Sequence, residues 1–208
     1  MLTFQNVSYK KILYNVTIEI PGTSYIIGRN QIGKTDLLQM LFYQKKLTEG
    51  EIHLQENIKL GHSVLGRRQA FFLVPENIGL KWKDFKLYTV YRLFTKKSFV
   101  VSGLCLDYHL DGQMYFHQLS HFLKLVFYTH IAMTMKIPII LYDEPFKILD
   151  FEERSQFLDF LKKWGNTLLF VITGNRMEPD ISQSVQQTFL LDSRTLIPLK
   201  GGEKYANL

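Results

Sequence analysis

The sequence predicts an α/β fold built on a largely parallel sheet. Three observations predict it. Short apolar, β-branched runs alternate with helix-spaced segments along the chain. A strand, a glycine-bearing loop and a helix follow one another over residues 24–44. A second apolar run, 137–142, ends in Asp143-Glu144-Pro145.

The elements follow in order. Segments 2–8 and 13–20 alternate like strands, and Pro21-Gly22 marks a turn after them. Residues 24–28 form a short buried strand, and 33–44 carry Leu37, Leu38, Leu41 and Phe42 at helical spacing. Short strands are expected at 51–54, 58–60 and 70–74. The composition then changes over 77–118, where Trp82, Phe85, Tyr88, Tyr91 and Phe94 point to helical stretches. A helix over 120–135 leads into the strand 137–142. An amphipathic helix at 151–164, a buried strand at 167–172 and a closing pair at 187–191 and 195–199 complete the chain.

Composition bounds the function. The 208 residues suit one compact domain with room for an inserted helical subdomain. An apolar fraction of 46% and a charged fraction of 21% exclude a disordered or collagen-like chain. The single cysteine, Cys105, can build neither an internal disulfide nor a cysteine-based zinc site, which suggests a reducing compartment. The start, MLTFQNVSYKK, has no apolar core of signal-peptide type. No run approaches the ~18 consecutive apolar residues of a membrane helix, so a soluble or peripheral protein is expected. The net charge of +6 comes from scattered pairs such as Lys10-Lys11, Arg67-Arg68, Lys96-Lys97 and Lys162-Lys163, read as solvated faces.

Residues 28–35, Gly28-Arg29-Asn30-Gln31-Ile32-Gly33-Lys34-Thr35, satisfy G-x-x-x-x-G-K-[ST], the phosphate-binding P-loop. Glycines let the backbone N–H groups wrap a phosphate, and the helix N-terminus adds its positive dipole end. Lys34 reaches the β- and γ-phosphates, and the Thr35 hydroxyl suits Mg²⁺. Asp143, at the end of a buried strand, is expected to hold the metal through water. Glu144 is the expected general base for the attacking water.

These residues resemble the ATP-binding cassette (ABC) ATPase family over nearly the whole chain. Asn30 within the loop, Thr48-Glu49-Gly50-Glu51-Ile52, Leu119-Ser120 before a helix, and Leu149-Asp150 after the acidic tripeptide all fall in the family's order. The resemblance implies a P-loop NTPase fold of ABC type, with an N-terminal antiparallel β subdomain and a short helical subdomain inserted at about 77–135. It implies ATP and Mg²⁺ as ligands. Nucleotide contacts would come from Gly28 through Thr35, from Asp36, from Tyr9 stacking on adenine, and from Ser120 across a dimer. Lys34 and Glu144 are the implied catalytic residues, and Thr35, Asp143 and Glu76 the implied metal ligands. Two cassettes, alike or different, would pair head to tail around two nucleotides, and a separately encoded transmembrane permease would dock on the helical subdomain.

The sequence also departs from the family. The signature reads Leu119-Ser120-His121-Phe122-Leu123, without the family's glycines and glutamine. Glu76 stands in place of a glutamine, and Gly174 in place of the switch histidine, with Asn175 and Arg176 following. Losing one transition-state donor typically costs about 10²–10³ in rate. Turnover is therefore expected to be slow, with Arg176 a candidate substitute. The leading expectation is a peripheral ATPase subunit on the cytoplasmic membrane face, energising export of a peptide or small molecule. A regulatory cassette with little turnover is the alternative. A soluble ATPase acting on nucleic acid or ribosomes is the third reading, and no nucleic-acid partner is expected.

Overall fold

The structure, a computed structural model, describes residues 1–42, 46–54, 58–60, 70–74 and 81–199, with side chains described for all of these except 58–60. Strands β1 (Leu2–Tyr9), β2 (Leu13–Ile20), β3 (Ser24–Ile27), β4 (Glu49–Leu54) and β5 (Ile58–Leu60) precede β6 (Ala70–Leu73). Strands β7 (Ile139–Tyr142), β8 (Leu169–Gly174), β9 (Gln187–Asp192) and β10 (Thr195–Leu199) complete the set. They form two sheets. One is antiparallel, in the order β2-β1-β4-β5. The other runs β10-β9-β3-β8-β7-β6, with β9, β3, β8, β7 and β6 parallel and β10 antiparallel at the edge. The α/β class and the N-terminal antiparallel β layer are as expected from sequence.

The central strands are covered on both faces, which is why they read as continuous apolar runs rather than alternating ones. Side chains still alternate between faces. Tyr25, Ile140, Tyr142, Phe170 and Ile172 enter one core, and Ile26, Ile139, Leu141, Leu169 and Val171 enter the other. The second core also receives Leu37, Leu38, Met40 and Leu41 of α1 (Lys34–Leu41) and the inner face of the antiparallel sheet. The first helix is shorter than the 33–44 expected, closing at Phe42.

Helices α2 (Leu87–Thr95), α3 (Gly103–Asp107) and α4 (His121–Thr134) follow β6 in the chain. Helix α4 buries Phe122 and residues 125–132, on nearly all sides, so it is an interior helix. Its Thr129 hydroxyl meets the Tyr142 hydroxyl at 2.6 Å, which ties it to β7. The aromatic segment divides. Tyr91 is fully buried and Trp82 and Phe94 pack against the core, whereas Phe85 and Tyr88 are exposed.

Helix α5 (Phe151–Trp164) starts on a reciprocal cap. The Asp150 carboxylate accepts from Glu153 N at 2.8 Å, and Glu153 accepts from Asp150 N. Glu153 Oε1 also accepts from Phe122 N at 3.2 Å, which fastens the start of α4 to α5. The short helix α6 (Pro179–Ser184) packs beside α5, with Arg154 bonded to Asp180 at 3.0 and 3.1 Å. The β9–β10 hairpin turns through Ser193 and Arg194 at φ 45° and 66°, the positive-φ pair that a tight hairpin requires. Among the described residues no helix is long and apolar enough to cross a membrane.

Candidate nucleotide site

The site forms where β3, β7 and β8 end side by side. Parallel strands in this order bring the loop after β3, the acids after β7 and the residues after β8 to one edge. All four residues of β3 are buried, so the chain emerges from it at a fixed place. Gly28 follows, and a Cβ there would stand 2.9 Å from the Leu191 carbonyl oxygen. Gly33 has φ 108°, a conformation suited to glycine, and Ile12 packs where its side chain would be. Helix α1 begins at Lys34 with no side chain capping its first turn. Its first N–H groups therefore face the loop, the arrangement that receives an anionic group.

Lys34 is 5% exposed and turns inward. Its ammonium donates to Gly28 O at 2.9 Å, Arg29 O at 3.0 Å and Asn175 Oδ1 at 2.8 Å. It also pairs with Glu144 Oε1 at 3.2 Å. Thr35 Oγ1 donates to Asp143 Oδ2 at 2.7 Å, and Thr173 Oγ1 donates to Asp143 Oδ1 at 2.8 Å. Thr173 in turn accepts from Glu144 N at 3.0 Å. One buried threonine thus fixes both acids. Glu144 has φ 53°, and its second carboxylate oxygen pairs with Lys147. Partial burial pushes its carboxyl up, but the bonds and charges of Lys147 and Lys34 outweigh that and hold it below the usual value.

The expected residues Gly28, Lys34, Thr35, Asp143 and Glu144 are thus brought together. Thr35 and Asp143 juxtapose two hard oxygen donors, which suits Mg²⁺, an ion that keeps several waters and takes its other ligands from phosphates. Arg29, Asn30 and Gln31 are exposed on the loop, Ile32 is half-buried and Asp36 lies on the first turn of α1. Ser120 lies elsewhere. It caps α4, accepting from Leu123 N at 3.2 Å, and lines a groove with Asp107, Tyr108 and Glu153. Glu76 lies outside the described residues.

Two expectations are corrected. Tyr9 is fully buried in the core beneath the antiparallel sheet, so its ring is not available to stack on adenine. The side chain from this hairpin that reaches the loop is Ile12, against Gly33. Arg176, the candidate substitute for the switch histidine, is not directed into the site. It is exposed and turns to Glu178 at 3.5 Å, while Asn175 is the residue that enters the site. Sequence reasoning missed four contacts here: Ile12, Lys147, Thr173 and Asn175. Of these only Thr173 had a signal, as a hydroxyl at the end of an apolar strand.

Similarity to solved structures bears on the fold. CbiO1 from Clostridium perfringens, part of the ABC transporter complex cbiONQ, superposes with TM-score 0.77 at 18% identity, covering 96% of this chain and 87% of that one. The ADP conformation of MJ1267, an ATP-binding cassette of an ABC transporter, gives TM-score 0.76 at 15% identity, over 94% and 89%. The chain has the ATP-binding-cassette fold. The dimeric post-hydrolysis structure of the cassette MJ0796 bound to ADP and Pi gives TM-score 0.66 at 21% identity, over 98% of this chain and 100% of that one. No family model and no curated protein matches the sequence.

Proposed function

We propose that the chain binds Mg-ATP and hydrolyses it to energise a separately encoded membrane permease. One observation carries the reading. Lys34 and Thr35 after β3, Asp143 and Glu144 after β7, and Thr173 at the end of β8 converge within hydrogen-bonding reach of one another. The loop amides and the start of α1 receive the phosphates. Lys34 exchanges its bonds to Gly28 O, Arg29 O and Glu144 for phosphate oxygens, which frees Glu144 Oε1. Glu144 then orients a water and takes its proton at that oxygen. Thr35 and Asp143 would hold Mg²⁺, which supplies charge neutralisation to the β- and γ-phosphates.

In this reading a second cassette, identical or different, completes the nucleotide sandwich with its own Ser120 region. The permease chooses the cargo, a peptide or small molecule. The protein sits peripherally on the cytoplasmic membrane face. Exposed Phe85, Tyr88, Leu93, Val100, Val101 and Leu106, on and around α2 and α3, support docking of an apolar partner there. The replacement of the switch histidine by Gly174 favours a second reading, a regulatory cassette with little turnover.

Equilibrium binding of Mg-ATP, with Lys34→Ala as the comparison, tests the binding step. Loss of binding in the variant is expected, and equal affinity would refute it. Steady-state turnover that vanishes in Glu144→Gln separates an ATPase from the regulatory reading. A mild-detergent pull-down should recover a stoichiometric multi-helix membrane protein. Recovery of soluble protein or nucleic acid alone would overturn the permease assignment.

A further inference from the structure

The edge of β8 holds an exchange between three residues. Gly174 ends that strand, and Ile27 of β3 is its pairing partner. A Cβ at Gly174 would lie 1.8 Å from the Tyr25 hydroxyl oxygen. The Tyr25 ring, from β3, therefore fills the room that a side chain at position 174 would need. The ring is 1% exposed and stands edge-on to Phe146 at 6.1 Å. Its hydroxyl donates to Arg176 O at 3.1 Å. Burial, with Glu178 next in weight, pushes the phenol further up from its ordinary value, so the hydroxyl stays a donor.

Residues 174 and 176 are thus fixed by one tyrosine, 174 by lack of room and 176 by a hydrogen bond. Asn175 lies between them and is directed into the site, where Oδ1 accepts from Lys34 at 2.8 Å. Lys34 is the cation that a P-loop presents to the β- and γ-phosphates. The amide therefore already lies within one hydrogen bond of the group that meets the terminal phosphate. The same amide carries two N–H donors on Nδ2, beside the oxygen that accepts from Lys34, so it can hold the lysine and donate to a phosphate at once.

We propose that Asn175 is a ligand for the terminal phosphate of a bound nucleoside triphosphate, donating from Nδ2, and that Tyr25 is the positioning residue that aims it. This rests on the nucleotide-binding reading above. Removing one hydrogen bond to a charged group weakens binding about tenfold to a hundredfold. The contact exists only when a terminal phosphate is present, so it discriminates ATP from ADP.

The test measures Mg-ATP and Mg-ADP affinities by calorimetry for the wild type, Asn175→Ala, Asn175→Ser, Tyr25→Phe and Lys34→Ala, with thermal melts to confirm folding. Asn175→Ala should lower the ratio of ATP affinity to ADP affinity about tenfold or more. Asn175→Ser, which keeps a short hydroxyl donor, serves as the second variant should the alanine protein fail to fold, and should also lower the ATP-to-ADP ratio. Tyr25→Phe keeps the ring and removes only the tether, so it should lower that ratio by a smaller factor. A purely structural role for Tyr25 would change both affinities alike. An unchanged ratio in the Asn175 variants, beside a wild type that binds ATP and a Lys34→Ala protein that does not, would overturn this proposal and leave the nucleotide-binding reading standing. A wild type that binds neither nucleotide would overturn both.

Discussion

Gly174→Ala is the smallest perturbation that probes the β8 edge, and its size follows from the structure. The new methyl carbon would lie 1.8 Å from the Tyr25 oxygen, against ~3.5 Å for an ordinary non-bonded contact. One of the two groups must move by roughly 1.5 Å. The ring has no free direction, because it is buried and held edge-on by Phe146. Overpacking of this kind costs about 1–3 kcal/mol. The hydroxyl's bond to Arg176 O would also be lost, adding about 1 kcal/mol. A total of about 2–4 kcal/mol lowers the melting temperature of a chain this size by about 5–15 °C. The assay is urea and thermal denaturation of a four-member cycle with Tyr25→Ala. Tyr25→Ala alone should cost about 3–5 kcal/mol, as a large buried ring does. In that background Gly174→Ala should add almost nothing, giving a coupling of about 2–4 kcal/mol. Gly103→Ala is the control. Nothing lies within 4 Å of its added carbon, so it should be neutral or slightly stabilising. Equal costs for Gly174→Ala in both Tyr25 backgrounds, within about 0.5 kcal/mol, would refute the steric reasoning.

Three further outcomes are expected. Tyr9→Phe removes a buried hydroxyl that has no hydrogen-bond partner among the described residues, so it should be neutral or stabilising by about 1 kcal/mol in urea titration and leave Mg-ATP affinity unchanged. Thr173→Val leaves Asp143 Oδ1 and Glu144 N without their donor and acceptor, so it should cost about 2 kcal/mol or more and cut turnover with it. His130 is buried beside Tyr91, Phe99 and Ser102, and burial holds its pKa below the ordinary 6.5. The unfolded chain then takes up a proton before the folded one, so the His130 contribution to stability is constant above about pH 6.5 and is lost as pH drops toward the lower folded value. The slope is at most about 1.4 kcal/mol per pH unit. It should disappear in His130→Leu, and an identical slope in that variant would exclude His130 as the source.

The P-loop was legible in sequence because its backbone path dictates residue types. Gly28 lies against a carbonyl and Gly33 adopts positive φ, so few substitutions survive there. The buried strands were legible because covering both faces leaves few polar residues to interrupt the run. Tyr9 was misread for a geometric reason. Strand β1 shifts register between Phe4 and Val7 and again between Val7 and Tyr9, with Asn6 at φ 50°. Two-residue counting fails across such a bulge, and the irregular stretch buries Val7, Ser8 and Tyr9 in succession. The Glu144–Lys147 pair was hidden for a related reason. It needs the 3₁₀ turn Pro145–Lys147, in which side chains three apart eclipse, and no sequence pattern distinguishes that turn from an ordinary loop.

The β8 edge was illegible for a different reason. Read locally, Gly174 is a missing histidine and Arg176 the nearest cation. The residue that explains both is Tyr25, about 150 positions earlier and adjacent only once β3 and β8 pair. A bulky ring on one strand and an absent side chain on its neighbour conserve volume. Their sum leaves Asn175, not position 174, as the residue that can reach Lys34. The Tyr25 ring occupies the space beside Gly174, and the polar side chain that meets Lys34 stands one position further along the chain.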